Sequence, residues 1–199
     1  MATLTTQLEA CNVMLGYIGE APVNSISNTS ELPVSAANAV TILEETSREV
    51  QSEGWHFNTE TEISLIGSAA DGKILLDEDV LQVDHDGTED VDLVQRGRSL
   101  FDRKNNTYVF TDAIEVTVVK YLVWDNLPEQ ARRYITLRAA RSLQSRLVGS
   151  RELEALIIRD EFAAKANLEN SDNNNSDRTI FDNFDVARRI GINRNYNPY

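Results

Sequence analysis

Cysteine occurs once in the 199 residues, at Cys11, which excludes an intrachain disulfide framework and a multi-cysteine zinc site. Cys11 falls on an apolar helical stripe and reads as core filler. The two histidines, His56 and His85, are too few for a multi-histidine metal site within one chain. Proline and glycine are scarce, at 4 and 9, as in an ordinary globular chain. The longest apolar runs are a few residues, so no membrane span is expected, and the N-terminus lacks the basic and apolar regions of a signal peptide. Basic residues are outnumbered 19 to 32, giving a net charge of −13. That balance argues against wholesale nucleic-acid or anionic-membrane binding, which lysine and arginine supply. It leaves room for DNA passing nearby, because an acidic wall repels phosphate. No G-x-S-x-G, G-x-x-x-x-G-K-[ST] or G-x-G-x-x-G occurs, and no local signature ties Ser, His and Asp into a triad.

Against this acidic background stands the stretch from Leu127 to Leu168, two helical runs joined at Val148-Gly149-Ser150. The first run places Ala131, Ile135, Ala139, Leu143 and Leu147 four residues apart, the stripe of a buried helix face. Between Gln130 and Arg151 lie six arginines and no acid, among them Arg132, Arg133, Arg138, Arg141 and Arg146. Without those charges the chain would stand at −19. So short a loop predicts antiparallel helices, with Leu153, Ile157, Ala164 and Leu168 on the inner side of the second.

Residues 4–18 read as a first helix on Leu4, Leu8, Cys11, Leu15 and Ile18, ended by Gly19 and Pro22. A polar loop follows. Ser35 is the expected N-cap of a second helix, with Ala36, Val40, Leu43, Ser47 and Val50 inward. Glu44, Glu45, Arg48, Glu49 and Glu53 face away, and Gly54 closes it. Trp55 and Phe57 are expected to lock the next segment onto the core. From 61 to 123 the period drops to two, with Asp71-Gly72, Asp86-Gly87 and Lys104-Asn105-Asn106 as turns. This predicts antiparallel hairpins in one small sheet, residues 115–121 being its clearest strand. Trp124 to Glu129 starts the third helix.

The expected fold is therefore α+β: an antiparallel helical bundle from both chain ends, with a small antiparallel β-sheet inserted between the second and third helices. The parts are 1–60 and 124–169 for the bundle, 61–123 for the β insertion, and 170–199 for a polar linker and C-terminal arm. Asn170 to Asp177 has nothing to bury. Beyond it Phe181, Phe184 and other apolar residues reappear with Arg188 and Arg189. This suggests an arm that orders on another chain, with packing on its own body as the alternative.

Asp77 to Asp92 is rich in carboxylates, but aligning Gly87 with the calcium-loop glycine puts Gln82 and Leu93 where the first ligand and bidentate Glu belong. Solvated hairpin edges are the better reading. Paired carboxylates could serve a glycan hydrolase, yet among 32 acids some pair lies at any chosen distance. The chemistry points away from a dedicated enzyme, and no cofactor or metal is expected. The arginine helix has three readings: pairing with the chain's own acids, facing acids of a neighbouring copy, or touching DNA phosphates.

Three motifs then carry a family resemblance. Gly19-Glu20-Ala21-Pro22-Val23, preceded by Ile18, resembles the I-G-E-x-P-V motif of the tail tubular protein A family of T7-like short-tailed bacteriophages. Ala36-Ala37-Asn38-Ala39 through Gly54-Trp55-His56-Phe57-Asn58 resembles its A-A-N-A helix ending in G-W-x-F-N. Leu127-Pro128-Glu129, with Arg133-Tyr134-Ile135 and Ala140-Arg141, resembles its L/M-P-E-x-x-R-Y-I-x-x-x-A-R helix, with one residue more before each of the last two blocks. Order agrees over residues 12–58 and 124–150, and spacing agrees over the first of these stretches. The resemblance implies a head-to-tail adaptor, or gatekeeper: a homo-dodecameric ring in the virion, below the portal protein and above the nozzle of tail tubular protein B. Tail fibre would dock around that junction. The ring would extend the channel through which viral DNA is retained and later ejected, without sequence-specific binding. The arginine helix and the arm (Phe181, Phe184, Arg188, Arg189) would then meet a neighbouring subunit or the portal. A virion-associated glycan hydrolase is the alternative. Reversing charge at Arg133 and Arg141 together is expected to block ring or portal assembly, read as complex mass; normal assembly by that variant would contradict this placement.

Overall fold

The computed structural model describes residues 3–85 and 91–175. Helix α1 spans Gln7–Tyr17 and α2 Val34–Gln51. Strands β1 (Thr59–Leu65), β2 (Val80–Asp84), β3 (Leu93–Arg96), β4 (Ser99–Asp102) and β5 (Ile114–Lys120) follow. Helices α3 (Glu129–Leu147) and α4 (Arg151–Asn175) complete the chain. This is the expected α+β arrangement, with small antiparallel sheets between the second and third helices.

The first helix begins later than its apolar spacing suggests because Thr6 and Glu9 form a capping box. Glu9 N–H donates to Thr6 Oγ1 at 3.2 Å, and Thr6 N–H donates to Glu9 Oε2 at 2.8 Å. Leu4 is left outside, exposed. At the other end Gly19 takes φ +78°, which lets Glu20 N–H reach Leu15 O at 3.0 Å. Ser35 does not cap α2. The helix starts at Val34 behind Pro33, whose carbonyl accepts from Ala37 N–H at 2.9 Å. The inner face of α2 is broader than the predicted stripe, since Ala39, Ile42, Thr46 and Gln51 are buried as well.

Helix α3 packs against α1, α2 and α4 and is the centre of the bundle. Ala131, Ile135, Ala139 and Leu143 are fully buried as expected, but Leu147 lies in the last turn and is exposed. Gly149 at φ +65° turns the chain back. Both Val148 and Gly149 donate to Gln144 O at 2.9 Å, and Gln144 Nε2 donates to Ser150 O at 2.8 Å. On α4, Ile157, Ala164 and Leu168 are inward, while Leu153 is exposed. The stretch 170–175, expected as linker, continues α4. Its Asp172 Oδ1 accepts from His56 N–H at 2.8 Å, a tertiary anchor that overrides weak helix propensity.

The β region has two sheets where one was expected. In the larger, β5 is central and pairs antiparallel with β1 on one side and β2 on the other. The smaller is the β3–β4 hairpin. The β-branched run of β5 takes the position buried on both flanks, so the strands do not pair in sequence order. Ile74 and Leu76 are buried with Leu100, Phe110, Ile114, Val116 and Val118, although residues 73–76 make only single bridges. The Asp71-Gly72 turn forms with Gly72 at φ +68°, where an added Cβ would meet Val109 Cγ1 at 2.7 Å. The Asn105 turn forms on Asp102, whose carboxylate accepts from Lys104 and Asn105 N–H at 2.9 and 3.1 Å. The Asp86-Gly87 turn lies outside the described residues.

A polar joint fastens the sheet to the bundle. Gln51, fully buried, donates through Nε2 to Leu122 O at 3.0 Å and accepts from Leu122 N–H at 2.7 Å. Asn58 Nδ2 donates to Gln51 O and Lys120 O at 2.9 and 2.8 Å, and its Oδ1 accepts from Trp55 N–H at 2.9 Å. Trp55 is buried, with Nε1 donating to Val50 O at 2.8 Å, and stacks on Phe57 at 6.5 Å between centroids. The aromatics thus lock the helix exit as expected. Gln51→Ala should orphan both backbone groups of Leu122, at ~1–3 kcal/mol per group. We expect a lower denaturant midpoint at unchanged m-value; an unchanged midpoint would remove the joint from the stability account.

Candidate assembly surface

The arginines of α3 divide into three kinds by where the helix turns them. Arg132 is not on an outward face. It is 3% exposed, and its guanidinium donates to Leu127 O at 2.9 Å, Thr5 O at 2.7 Å and Asp125 O at 2.8 Å. Thr5 is held a second time by Glu129, whose carboxylate accepts from Thr5 N–H at 2.8 Å and Thr5 Oγ1 at 2.5 Å. Trp124 Nε1 adds a bond to Thr5 O at 2.9 Å. The planar fork of arginine serves the three carbonyls from three separate nitrogens, Nε, Nη1 and Nη2, which the single nitrogen of a lysine could not reproduce. Arg132 therefore ties the N-terminal segment to the start of α3.

Arg138, Arg141 and Arg146 face outward but meet acids of the same chain. Arg138 bridges Glu49 at 2.6 Å and Glu53 at 3.1 Å, and donates to Tyr134 Oη at 2.8 Å. Arg146 reaches Glu45 at 3.5 Å, with both side chains more than half exposed, a geometry worth little. Glu45 and Glu49 stand four residues apart on α2, with Glu53 four further on just past its end, and Arg138 and Arg146 stand eight apart on antiparallel α3. The two helices thus zip at their rim. That complementary spacing is legible in the sequence. Arg141 forms a two-pronged pair with Glu161 of α4, at 2.5 and 3.2 Å. The Glu161 hydrogen bond raises the Arg141 pKa above its ordinary value, and the Glu161 side chain is only 13% exposed.

Arg133 is the exception. It is exposed and makes no ion pair among the described residues. Its charge acts on Tyr17, whose hydroxyl is pushed up by burial and by Asp160 while Arg133 pulls it down. Arg151, past the turn, is exposed too. Phe181, Phe184, Arg188 and Arg189 lie outside the described residues.

Beside the Arg141–Glu161 pair, α4 carries apolar residues that sequence reasoning did not assign to any site. Ile158 and Phe162, 49% and 75% exposed, stand one helical turn apart. With Tyr134, Arg141, Glu161 and Lys165 they line a shallow groove of about 320 Å³. The signal was present in the sequence: Leu156, Ile157 and Ile158 are consecutive, and a helix can bury only part of such a run.

Four surface grooves among the described residues each contain one carboxylate, from Glu161, Glu20, Glu44 or Glu9. Glycoside hydrolysis needs two. Among the described residues no three His, Cys, Asp or Glu side chains could hold a metal ion, and no helix is long and apolar enough to cross a membrane. Cys11 is buried, and burial, with Glu44 nearby, pushes its thiol up to about 11.

The fold is a helical bundle with small antiparallel sheets and an exposed apolar groove on its last helix. The chain belongs to the tail tubular protein family, whose model matches residues 8–178. It is a structural component of the phage virion tail. No curated protein matches the chain.

The three kinds of arginine separate in stability. Arg132→Met should cost ~3 kcal/mol, because three carbonyls lose a charged donor. Arg133→Glu should stay within ~0.5 kcal/mol. Equal losses in urea denaturation would contradict the division.

Proposed function

We propose that the chain is the head-to-tail adaptor of a short-tailed phage, twelve copies forming a ring between the portal and the nozzle of tail tubular protein B. The family match over residues 8–178 supports a tail role. The observation that carries the adaptor reading is the surface left unspent on the bundle: exposed Arg133, and Ile158 and Phe162 on α4. Three of the other α3 arginines are consumed within the chain, and Arg132 is buried. Arg133 is thus the member of that helix with charge to offer a neighbouring subunit or the portal. The exposed apolar side chains of α4 supply contact area, which isolated surface charges cannot.

The acid excess fits the same role. A ring of chains at −13 each surrounds its axis with negative charge wherever acids face the lumen. Such a wall repels DNA phosphate and keeps the duplex mobile during retention and ejection. Tail fibre docking at the ring–nozzle junction completes the assembly.

Purified chain mixed with portal should give a complex whose mass corresponds to a full ring. Arg133→Glu should abolish or strongly weaken it while leaving the melting curve unchanged. This single change is cleaner than the double reversal with Arg141, which also breaks the internal Arg141–Glu161 pair. A chain that stays monomeric with portal would overturn the adaptor reading.

A further inference from the structure

We propose that the α4 groove of Ile158 and Phe162 receives residues 176–199 of a second copy of this chain. The inference rests on the ring reading above and names one of its subunit contacts.

Phe162 is the most exposed aromatic residue on the bundle, and its neighbour one turn back, Ile158, is half exposed. Tyr134 floors the groove between them and the Arg141–Glu161 pair, with Lys165 at the rim. Ile180, Phe181 and Phe184 are spaced one, three and four apart, the anchor spacing that fills such a face. Residues 176–199 carry four arginines against three aspartates, a slightly basic segment for an acidic body, with three of the arginines and no acid from Val186 onward. Opposite charge of this kind steers encounter and adds to the apolar contact.

Reach selects the second copy. Helix α4 is described as far as Asn175, and its Asp172 is tied to His56 at the sheet end of the bundle. Phe162 lies thirteen residues back, about 20 Å along the helix. Ile180 and Phe181 are five and six residues beyond Asn175, about 17–21 Å at full extension with no allowance for reversing direction, so of the three anchors only Phe184, about 30 Å out, could return to the groove of its own chain. The surface in between offers no large apolar side chain to hold it, since the exposed residues from 165 to 175 are Asn and Glu. The same groove on a neighbouring copy carries neither restriction. A contact between the arm of one copy and the groove of the next is heterologous, the kind that closes into rings.

The test uses full-length chains. Phe162→Ser removes the groove anchor; at 75% exposure its melting curve should match the parent chain. Phe181→Ser with Phe184→Ser removes the arm anchors. A labelled peptide of residues 176–199 should bind the arm-defective chain saturably, and about tenfold or more weaker once Phe162→Ser is added, the loss expected for one buried phenyl. In sedimentation velocity the parent chain should self-associate above the peptide Kd and each variant alone should not. Mixing the two variants should restore a dimer, one intact arm on one intact groove. No peptide binding, or binding unaffected by Phe162→Ser, overturns the proposal. A parent chain that stays monomeric above the peptide Kd places the arm on its own body and overturns the second-copy assignment. Rings that form on portal with the arm-defective chain would sink this contact and leave the adaptor reading standing. Peptide binding without rings on portal would do the reverse.

Discussion

Helix α3 must bury itself against three other helices while carrying five arginines, and the rest of the bundle is arranged to let it. Its small residues, Ala131, Ala139 and Ala140, allow close approach, and Ile135, Leu137 and Leu143 fill the space between. Each arginine then has one of three fates. Arg132 is turned inward and satisfied by backbone carbonyls, which organise residues 5 and 125–127 around it. Arg138, Arg141 and Arg146 reach over the rim to acids of α2 and α4. A removed partner would leave the half-buried Arg141 charge uncompensated, which costs more than the pair contributes. The net acid excess of the chain is what supplies these partners.

The β region depends on the bundle through a joint made of side-chain amides. Gln51 at the end of α2 and Asn58 before β1 satisfy backbone groups on both sides, so the helical exit and the last strand are fixed together. Buried amide groups of this kind specify one register, since a slipped pairing would leave them unsatisfied in an apolar setting. Trp55 adds area to the same joint and directs its own N–H to Val50 O.

Periodicity made the helices legible, and alternation made the β region legible. Charge made α3 visible as an outlier, and three motifs, headed by the I-G-E-x-P-V motif around Gly19, suggested the family. What escaped was set by geometry between distant elements. Arg132 has the composition of a surface residue, and only the convergence of three carbonyls shows why it is inside. The strand order escaped because hairpin signals favour sequential pairing, whereas β5 drew both β1 and β2 to itself. Residues 170–175 are polar enough for a linker, yet the Asp172–His56 bond holds them in α4. Of the candidate surface, Arg133 is exposed as its charge suggests, while Ile158 and Phe162 carry no motif that marks them. A helix whose apolar run is wider than its buried face announces a second contact, and the consecutive Leu156, Ile157 and Ile158 spell out that width in the sequence.

These parts give a bundle in which four of the five α3 arginines are satisfied within the chain. Inward and rim arginines hold it together; Arg133 and the α4 groove remain for other proteins. Electron cryo-microscopy of the chain assembled on its portal measures this most directly. The account predicts a closed ring around an open axial channel, with α3 and α4 at the boundary between adjacent copies. Separate copies bound to the portal without lateral contact, or a boundary formed by the β region with α4 facing solvent, would contradict it.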